Sequence, residues 1–397
     1  MHVIFERPKA IHHVLRVGRN ERGGVQRATL RPDPILFGTK LTGSEAARPV
    51  AGKEGAVSVP QKLEIKRIAS LLQGFDGGKD RADVVEDKPN LPDLITDLRH
   101  LWNRFEWSVC TLTSDRALYY GYAAGRKQVM HETQDRLRRR LISDRVPLDD
   151  STHQLDRIAA LLAPIARQAG KSCVPEMHPY APYSALSDED SHWCGENPFV
   201  VMHLSGKYSD KDVNQAVWRA VAKRVVEEGF RIAFTGGGSE KEEVLIKDAT
   251  SELPPDSWRN FSGKLTFGRT GALLRRASLY IGVDTSATHV AAAVGIKTIA
   301  LFGPGSISRW GPAPIRGHRH YSDIAVLQRS NCVTILKNPE VADCRQCRRG
   351  HLTRCPRSAD ASLAFCLQTF PTEVVVNEVR RQLASAKSTR TQESLAA

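Results

Sequence analysis

Residues 279–302 constrain the fold more than any other part of the chain. An apolar run, Leu279–Val283, leads directly into Asp284, and a helix of small residues starts within two residues of it. A second apolar run, Thr298–Phe302, follows. Such a strand–turn–helix–strand unit is typical of parallel sheets, whose ligands bind outside the carboxyl ends of the strands. Because the first N–H groups of a helix have no partner within it, this turn predicts a phosphate-binding site.

Strand and helix patterns alternate regularly through the second half of the chain. Apolar runs at Phe199–Leu204 and Phe230–Thr235 predict strands. The segments Val213–Glu228 and Glu240–Ala249 have the apolar spacing of helices. This alternation predicts a parallel sheet covered by helices on both faces.

The charge of the chain restricts its partners. The 397 residues carry a formal net charge of +13, which favours an anionic partner such as a nucleotide-sugar, a nucleic acid or an acidic membrane surface. No apolar run reaches the length of roughly 18 residues that a bilayer span requires. The first residues lack the apolar core of a signal peptide, so we expect a cytoplasmic protein. Eight cysteines in a reducing compartment argue against a disulfide framework.

Several sequence motifs together resemble one enzyme family. In chain order they are HLSG, TGGGSE, SGKLTF and LYIGVDTSATHVAAAVGIKTIALFGP. This string is similar to the family 9 glycosyltransferases, the ADP-heptose:lipopolysaccharide heptosyltransferases and their relatives. The resemblance is strong over residues 199–312 and weaker over 91–170. It implies an α/β fold with two Rossmann-like domains of the GT-B type, the N-terminal one incomplete or degenerate.

The resemblance also implies an activity and its partners. The expected reaction transfers a sugar, heptose in the family's type members, from a nucleotide-diphosphate sugar to a lipid-linked glycan acceptor of the lipopolysaccharide type. It inverts the anomeric centre and requires no metal or other cofactor. Peripheral contact with the inner membrane would suit such an acceptor, and a basic cluster (Arg136, Arg138, Arg139, Arg140) matches an anionic surface. A solvated helix face is the alternative explanation for this cluster. Nucleic acid is the weakest candidate partner, because no aromatic platform accompanies the basic residues.

The candidate donor site collects residues from three strand ends. Asp284 is expected to hold sugar hydroxyls, and His289 to donate to phosphate or sugar. The remaining residues assigned to the donor phosphates are Lys211, Thr285, Ser286, Ala287 and Thr288. Those assigned to the nucleoside are Gly236, Gly237 and Glu240. Simpler explanations stay open: helix capping for Asp284 and Ser286, a buried structural histidine for His289, and a tight turn for the glycines.

The sequence departs from the family pattern at two points. Ser286 stands where the family has a glycine, and serine is a good residue at a helix start. Family members also open with a strand that runs into a Gly-Asp turn, whose aspartate is the expected general base. No Gly-Asp dipeptide occurs in this chain, and the nearest counterpart is Gly23-Gly24. We therefore assign no catalytic base, and a relative that binds nucleotide-sugar without turnover is the alternative function.

A cysteine-rich segment precedes the C-terminal helix. Its four cysteines suggest a structural zinc site, since the first two have the spacing of a zinc knuckle; the four are Cys344, Cys347, Cys355 and Cys366. Reduced thiols that are merely packed are the alternative. The sequence predicts four regions. Residues 1–92 form an atypical, partly irregular segment, and residues 93–185 form the rest of the acceptor-side domain. Residues 199–330 form the donor-binding domain, and residues 331–397 form the cysteine-rich segment with its helix. A Pro-rich, polar connection over 174–198 separates the two halves.

Overall fold

The chain divides into two compact units, Met1–His178 and Pro179–Ala397. The structure is a computed structural model, and it describes residues 2–7, 11–16, 102–103, 105–111, 115–133, 135–149, 151–170, 179–341, 344, 355–360 and 362–396. Most of the predicted segment 1–92, including Gly23-Gly24, lies outside these residues. Two strands fall within its first sixteen residues.

The first unit contains a five-stranded sheet in the order β2-β1-β3-β4-β5. Its strands are β1 (His2–Arg7), β2 (Ile11–Arg16), β3 (Phe105–Cys110), β4 (Gly125–His131) and β5 (Asp144–Val146). All neighbours are parallel except β1 and β2, which form an antiparallel pair at one edge. The described helices of this unit are α1 (Asp115–Ala124), α2 (Arg136–Arg139) and α3 (Gln154–Gln168). Strand β3 ends in buried Val109 and Cys110, which gives the sheet an apolar interior.

The second unit contains a seven-stranded sheet in the order β11-β12-β10-β9-β6-β7-β8. Its strands are β6 (Phe199–His203), β7 (Arg231–Phe234), β8 (Trp258–Asn260), β9 (Leu279–Val283), β10 (Thr298–Phe302), β11 (Leu327–Ser330) and β12 (Val333–Lys337). Only the edge strand β11 is antiparallel to its neighbour. The adjacent strands β7, β6 and β9 therefore end at the same edge, where the loops that follow them meet.

Helices cover both faces of this sheet. In chain order they are α4 (Asp188–Glu196), α5 (Gln215–Glu227), α6 (Glu240–Ala249), α7 (Phe267–Arg276), α8 (Ser286–Val294), α9 (Ile307–Trp310), α10 (Phe365–Gln368) and α11 (Thr372–Ala396). Ile281 of β9 packs in one apolar cluster with residues of α5, α6 and α11. The preceding Tyr280 instead reaches α8 through its hydroxyl. Because successive strand side chains point to opposite faces, these contacts place α8 opposite α5, α6 and α11.

The predicted parallel sheet with helices on both faces is confirmed, and the division between the two units, at His178 and Pro179, falls within the predicted connection. The connection predicted over 174–198 contains helix α4, whose start is capped by the Ser187 hydroxyl accepting from the N–H of Asp190. The helix buries Cys194 alone among its residues, so it has no apolar stripe from which to recognise it. The predicted boundary at residue 331 separates β11 from β12, yet β12 is fully buried between β11 and β10.

Candidate functional site

The start of helix α8 is anchored to the strand that precedes it. The Thr288 hydroxyl donates to the carbonyl of Val283, and its oxygen lies 2.9 Å from the hydroxyl of Tyr280. The side chain of Thr288 is therefore directed into the protein, while Ser286 is exposed. The backbone N–H groups of Ser286, Ala287 and Thr288 belong to the first turn, where no intrahelical acceptor exists. Of the residues predicted to bind phosphate, Ala287 and Thr288 can act only through these N–H groups.

Three of the predicted donor-site residues meet at this helix start. The Lys211 ammonium lies 2.6 Å from Oδ2 of Asp284 and donates to the Asp284 carbonyl at 2.8 Å. Nε2 of His289 lies 3.8 Å from the other carboxylate oxygen. The exposed fractions of the Lys211 and Asp284 side chains are 28% and 13%, so this is a partly buried pair. The cluster combines a cation, an anion and an imidazole beside free helix N–H groups.

The surroundings of Asp284 keep its carboxyl group ionised. Burial by itself would raise its pKa, but the adjacent imidazole of His289 and the ammonium of Lys211 outweigh burial. The pKa of Asp284 therefore lies below its ordinary value of 3.8. At neutral pH the carboxylate is a hydrogen-bond acceptor only, which suits contacts with the hydroxyl groups of a ligand.

Two glycines allow neighbouring loops to approach this cluster. A Cβ atom at Gly206 would lie 3.3 Å from the Lys211 side chain and 3.5 Å from the methyl group of Thr285. A Cβ atom at Gly305, in the loop after β10, would lie 3.2 Å from Oδ2 of Asp284. The loops after β6, β9 and β10 therefore converge on Lys211 and Asp284, in agreement with the sheet order.

The glycine-rich turn after β7 is shaped by its own packing. The N–H of Gly237 donates to the Glu242 carboxylate at 2.9 Å, and Glu242 also forms a capping box with Ser239. A Cβ atom at Gly236 would lie 2.7 Å from that same carboxylate. Glu240, by contrast, is exposed at the first position of α6. A tight turn thus accounts for the glycines, and the nucleoside-binding role of Gly236, Gly237 and Glu240 stays a prediction.

The residues that hold the loops in place were not among the predicted site residues. The Lys241 ammonium donates to the carbonyl of Gly206 at 3.1 Å and to the two carboxylate oxygens of Asp212 at 3.0 and 3.1 Å. Nothing in the sequence around a single lysine in a first helical turn indicates such a contact. Glu242 could have been found, because Ser239 followed three residues later by a glutamate is a capping-box pattern.

The predicted zinc site lies partly outside the described residues. Cys347 of the proposed zinc set is among the residues that the structure leaves out. Within the part of the chain that is described, no group of three His, Cys, Asp or Glu side chains is arranged to hold a metal ion. The zinc site stays a prediction.

The predicted basic cluster lies at α2, which is only four residues long. Arg138 pairs with Asp135 at 3.2 Å and Arg139 with Glu132 at 2.9 Å, so half of the cluster already has carboxylate partners. No helix among the described residues has the length and apolar character needed to cross a bilayer. Contact with a membrane surface stays a prediction.

Comparison with known proteins agrees with the family resemblance of the sequence motifs. Residues 118–335 match the sequence model of glycosyltransferase family 9 (heptosyltransferase). Lipopolysaccharide heptosyltransferase 3 of Escherichia coli is 26% identical over 186 residues, which make up 47% of this chain and 54% of that protein. The same enzyme of strain K12 is 27% identical over 114 residues, 29% of this chain and 33% of that protein. The chain thus spans about half the length, or less, of the curated relatives that it matches.

Solved structures support the same fold. The ADP-heptose lps heptosyltransferase II of E. coli superposes with a TM-score of 0.50 and 17% identity, covering 73% of this chain and 79% of that one. A family 9 glycosyl transferase from Veillonella parvula DSM 2008 gives a TM-score of 0.52 and 14% identity, covering 76% of this chain and 82% of that one. These similarities confirm the α/β fold of the GT-B type. Because the family match extends over more than half of its 397 residues, the chain belongs to glycosyltransferase family 9 (heptosyltransferase).

Proposed function

We propose that this protein transfers heptose from a nucleotide-diphosphate sugar to a glycan acceptor of the lipopolysaccharide type. The family assignment supports glycosyl transfer, and the names of the curated relatives support the sugar and the acceptor. The acceptor would be lipid-linked, so the enzyme would work at the cytoplasmic face of the inner membrane.

The observation that carries the proposal is the cluster of Lys211, Asp284 and His289 at the start of α8. During transfer, negative charge develops on the leaving diphosphate, and its stabilisation by fixed dipoles and cations is the main catalytic contribution. The first N–H groups of α8 and the ammonium of Lys211 would supply that stabilisation. No metal is then required, because the chain's own positive groups neutralise the phosphates.

The ion pair with Asp284 would rearrange when the donor binds. A phosphate oxygen competes with the Asp284 carboxylate for the ammonium of Lys211, and this exchange frees the carboxylate to accept hydrogen bonds from the sugar. The acceptor hydroxyl then attacks the anomeric carbon from the face opposite the diphosphate. A carbon–oxygen bond forms, the bond to the phosphate oxygen breaks, and the hydroxyl proton passes to a base. This direct displacement inverts the anomeric centre.

A second candidate function is donor binding without turnover. It is favoured by one observation, the absence of a Gly-Asp dipeptide from the sequence. The family resemblance implies that the aspartate of such a turn is the general base. Loss of a general base lowers the rate by about 10²–10⁴-fold. The two candidates share the same donor site and differ only in the chemical step.

A transfer assay with ADP-heptose and truncated lipopolysaccharide tests both candidates. Product formation above background supports the transferase, whereas donor binding without product supports the second candidate. The substitution Lys211→Ala should weaken donor binding. Ser286→Pro should do the same, because proline fits the first position of a helix but has no N–H group to donate to a phosphate. The matched control is Lys207→Ala, because Lys207 is exposed on the same loop. Donor binding that survives both site substitutions unchanged would refute the proposed site.

A further inference from the structure

We propose that Lys241 is a positioning residue of the donor site, which holds the loop after β6 in place for phosphate binding. The inference rests on the proposed function. Lys241 lies in the first turn of α6, and its ammonium bridges two points of that loop, the carbonyl of Gly206 and the carboxylate of Asp212. No ligand contact is assigned to Lys241 itself. Its effect is transmitted through Gly206 and Lys211.

One end of this bridge is firmly fixed. The carbonyl of Asp212 accepts a hydrogen bond from Nε2 of Gln368 at 2.8 Å, and Nδ2 of Asn214 donates to the carbonyl of Gln368 at 3.0 Å. The segment around Asp212 is therefore attached to α10, whose Leu367 is fully buried. Because α10 holds Asp212 in place, the hydrogen bond from the Lys241 ammonium restrains the position of the Gly206 backbone.

The other end of the bridge lies against the site. The backbone of Gly206 is so close to the Lys211 side chain that an added Cβ atom would lie 3.3 Å from it. Displacement of Gly206 would thus change the position of Lys211, whose ammonium lies 2.6 Å from Asp284. Loss of Lys241 would also leave the carboxylate of Asp212 without this cation. Asp212 is the residue that directly follows Lys211 in the chain. Both effects would draw the Lys211 ammonium away from the diphosphate.

Calorimetric titration with ADP, with thermal unfolding measured in parallel, tests the inference in the full-length protein. The test variant is Lys241→Met, which keeps the length of the side chain and removes its charge. The matched control is Lys247→Met, because Lys247 is exposed on the same helix. We expect the Kd for ADP to rise at least about tenfold in the first variant, since small displacements of binding groups have effects of this size. The control should bind ADP as the wild type does.

A double variant separates positioning from general destabilisation. Lys241→Met with Asp212→Asn removes both charges, so its unfolding temperature should return towards that of the control. Its ADP affinity should recover only in part, because the uncompensated Asp212 charge is gone but the Gly206 carbonyl still lacks its donor. Full recovery of ADP affinity in the double variant, or unchanged affinity in Lys241→Met, would overturn the inference alone. Failure of the wild-type protein to bind ADP would overturn the proposed function and, with it, the inference.

Discussion

Substitution of Lys211 by Met gives a quantitative test of the Lys211–Asp284 pair. Removing one partner of a fully buried ion pair costs about 3–5 kcal/mol, because the remaining charge is left uncompensated. Here the exposed fraction of Lys211 is 28%, and His289 stays within 3.8 Å of the carboxylate. We therefore expect Lys211→Met to lower the free energy of unfolding by about 2 kcal/mol at pH 7. For a unit of this size, the unfolding temperature should fall by about 4–8 °C.

The pH dependence of this effect has a defined sign. The pKa of Asp284 is lowered in the folded protein, so the pair contributes stability above the ordinary carboxyl pKa of 3.8 and loses it as the pH falls through the folded value. The difference between wild type and Lys211→Met should accordingly be full at pH 7 and shrink progressively below pH 3.8. Differential scanning calorimetry over a pH series measures both quantities.

Two further variants complete this test. Lys211→Met with Asp284→Asn should regain most of the lost stability, because no uncompensated carboxylate is left. Lys207→Met on the same loop serves as the control, since Lys207 is exposed. An unchanged unfolding temperature in Lys211→Met at pH 7 would refute the reasoning. So would a difference that persists after Asp284 is protonated.

Two other substitutions test the scaffold of the site. Thr288→Val should lower the free energy of unfolding by about 1–3 kcal/mol in urea denaturation, because the buried Tyr280 hydroxyl and the Val283 carbonyl each lose one hydrogen-bond partner, whereas Thr288→Ser should cost less. An equal cost for both would contradict the hydroxyl's role. Gly238→Ala should be more damaging than Gly229→Ala in the same measurement. Both glycines have positive φ, +81° and +77°, but only at Gly238 would the new Cβ meet another backbone, 2.8 Å from Cα of Gly263. Similar costs at the two glycines would contradict the close packing.

The sequence was most informative where a strand is buried on both faces. The apolar runs Leu279–Val283 and Thr298–Phe302 coincide with β9 and β10 in full. Such runs have no polar face to interrupt them, so their limits are visible in the sequence. Helix α4 was missed for the opposite reason, since Cys194 is its only buried residue and no periodic apolar stripe marks it.

The candidate site was predicted as separate residues rather than as an arrangement. Lys211 was assigned to the donor phosphates from the family resemblance, and Asp284 to the sugar hydroxyls from its place after a strand. Nothing in the sequence indicates that they form a pair. They are 73 residues apart, and only the neighbouring positions of β6 and β9 in the sheet bring them together. The contacts of Lys241 were missed for the same reason, because Gly206 is 35 residues away from it.

The short helix α10 has a consequence for the construction of hybrid enzymes. Its Gln368 holds Asp212, and a Cβ atom at Gly303 would lie 2.6 Å from the side chain of its Leu367. The loops after β6 and β10 thus both depend on residues close to the C-terminus. A chimera made by recombining the chain near residue 330 would combine these loops with a foreign α10. Crossover points that keep residues 179–396 together would preserve the native contacts.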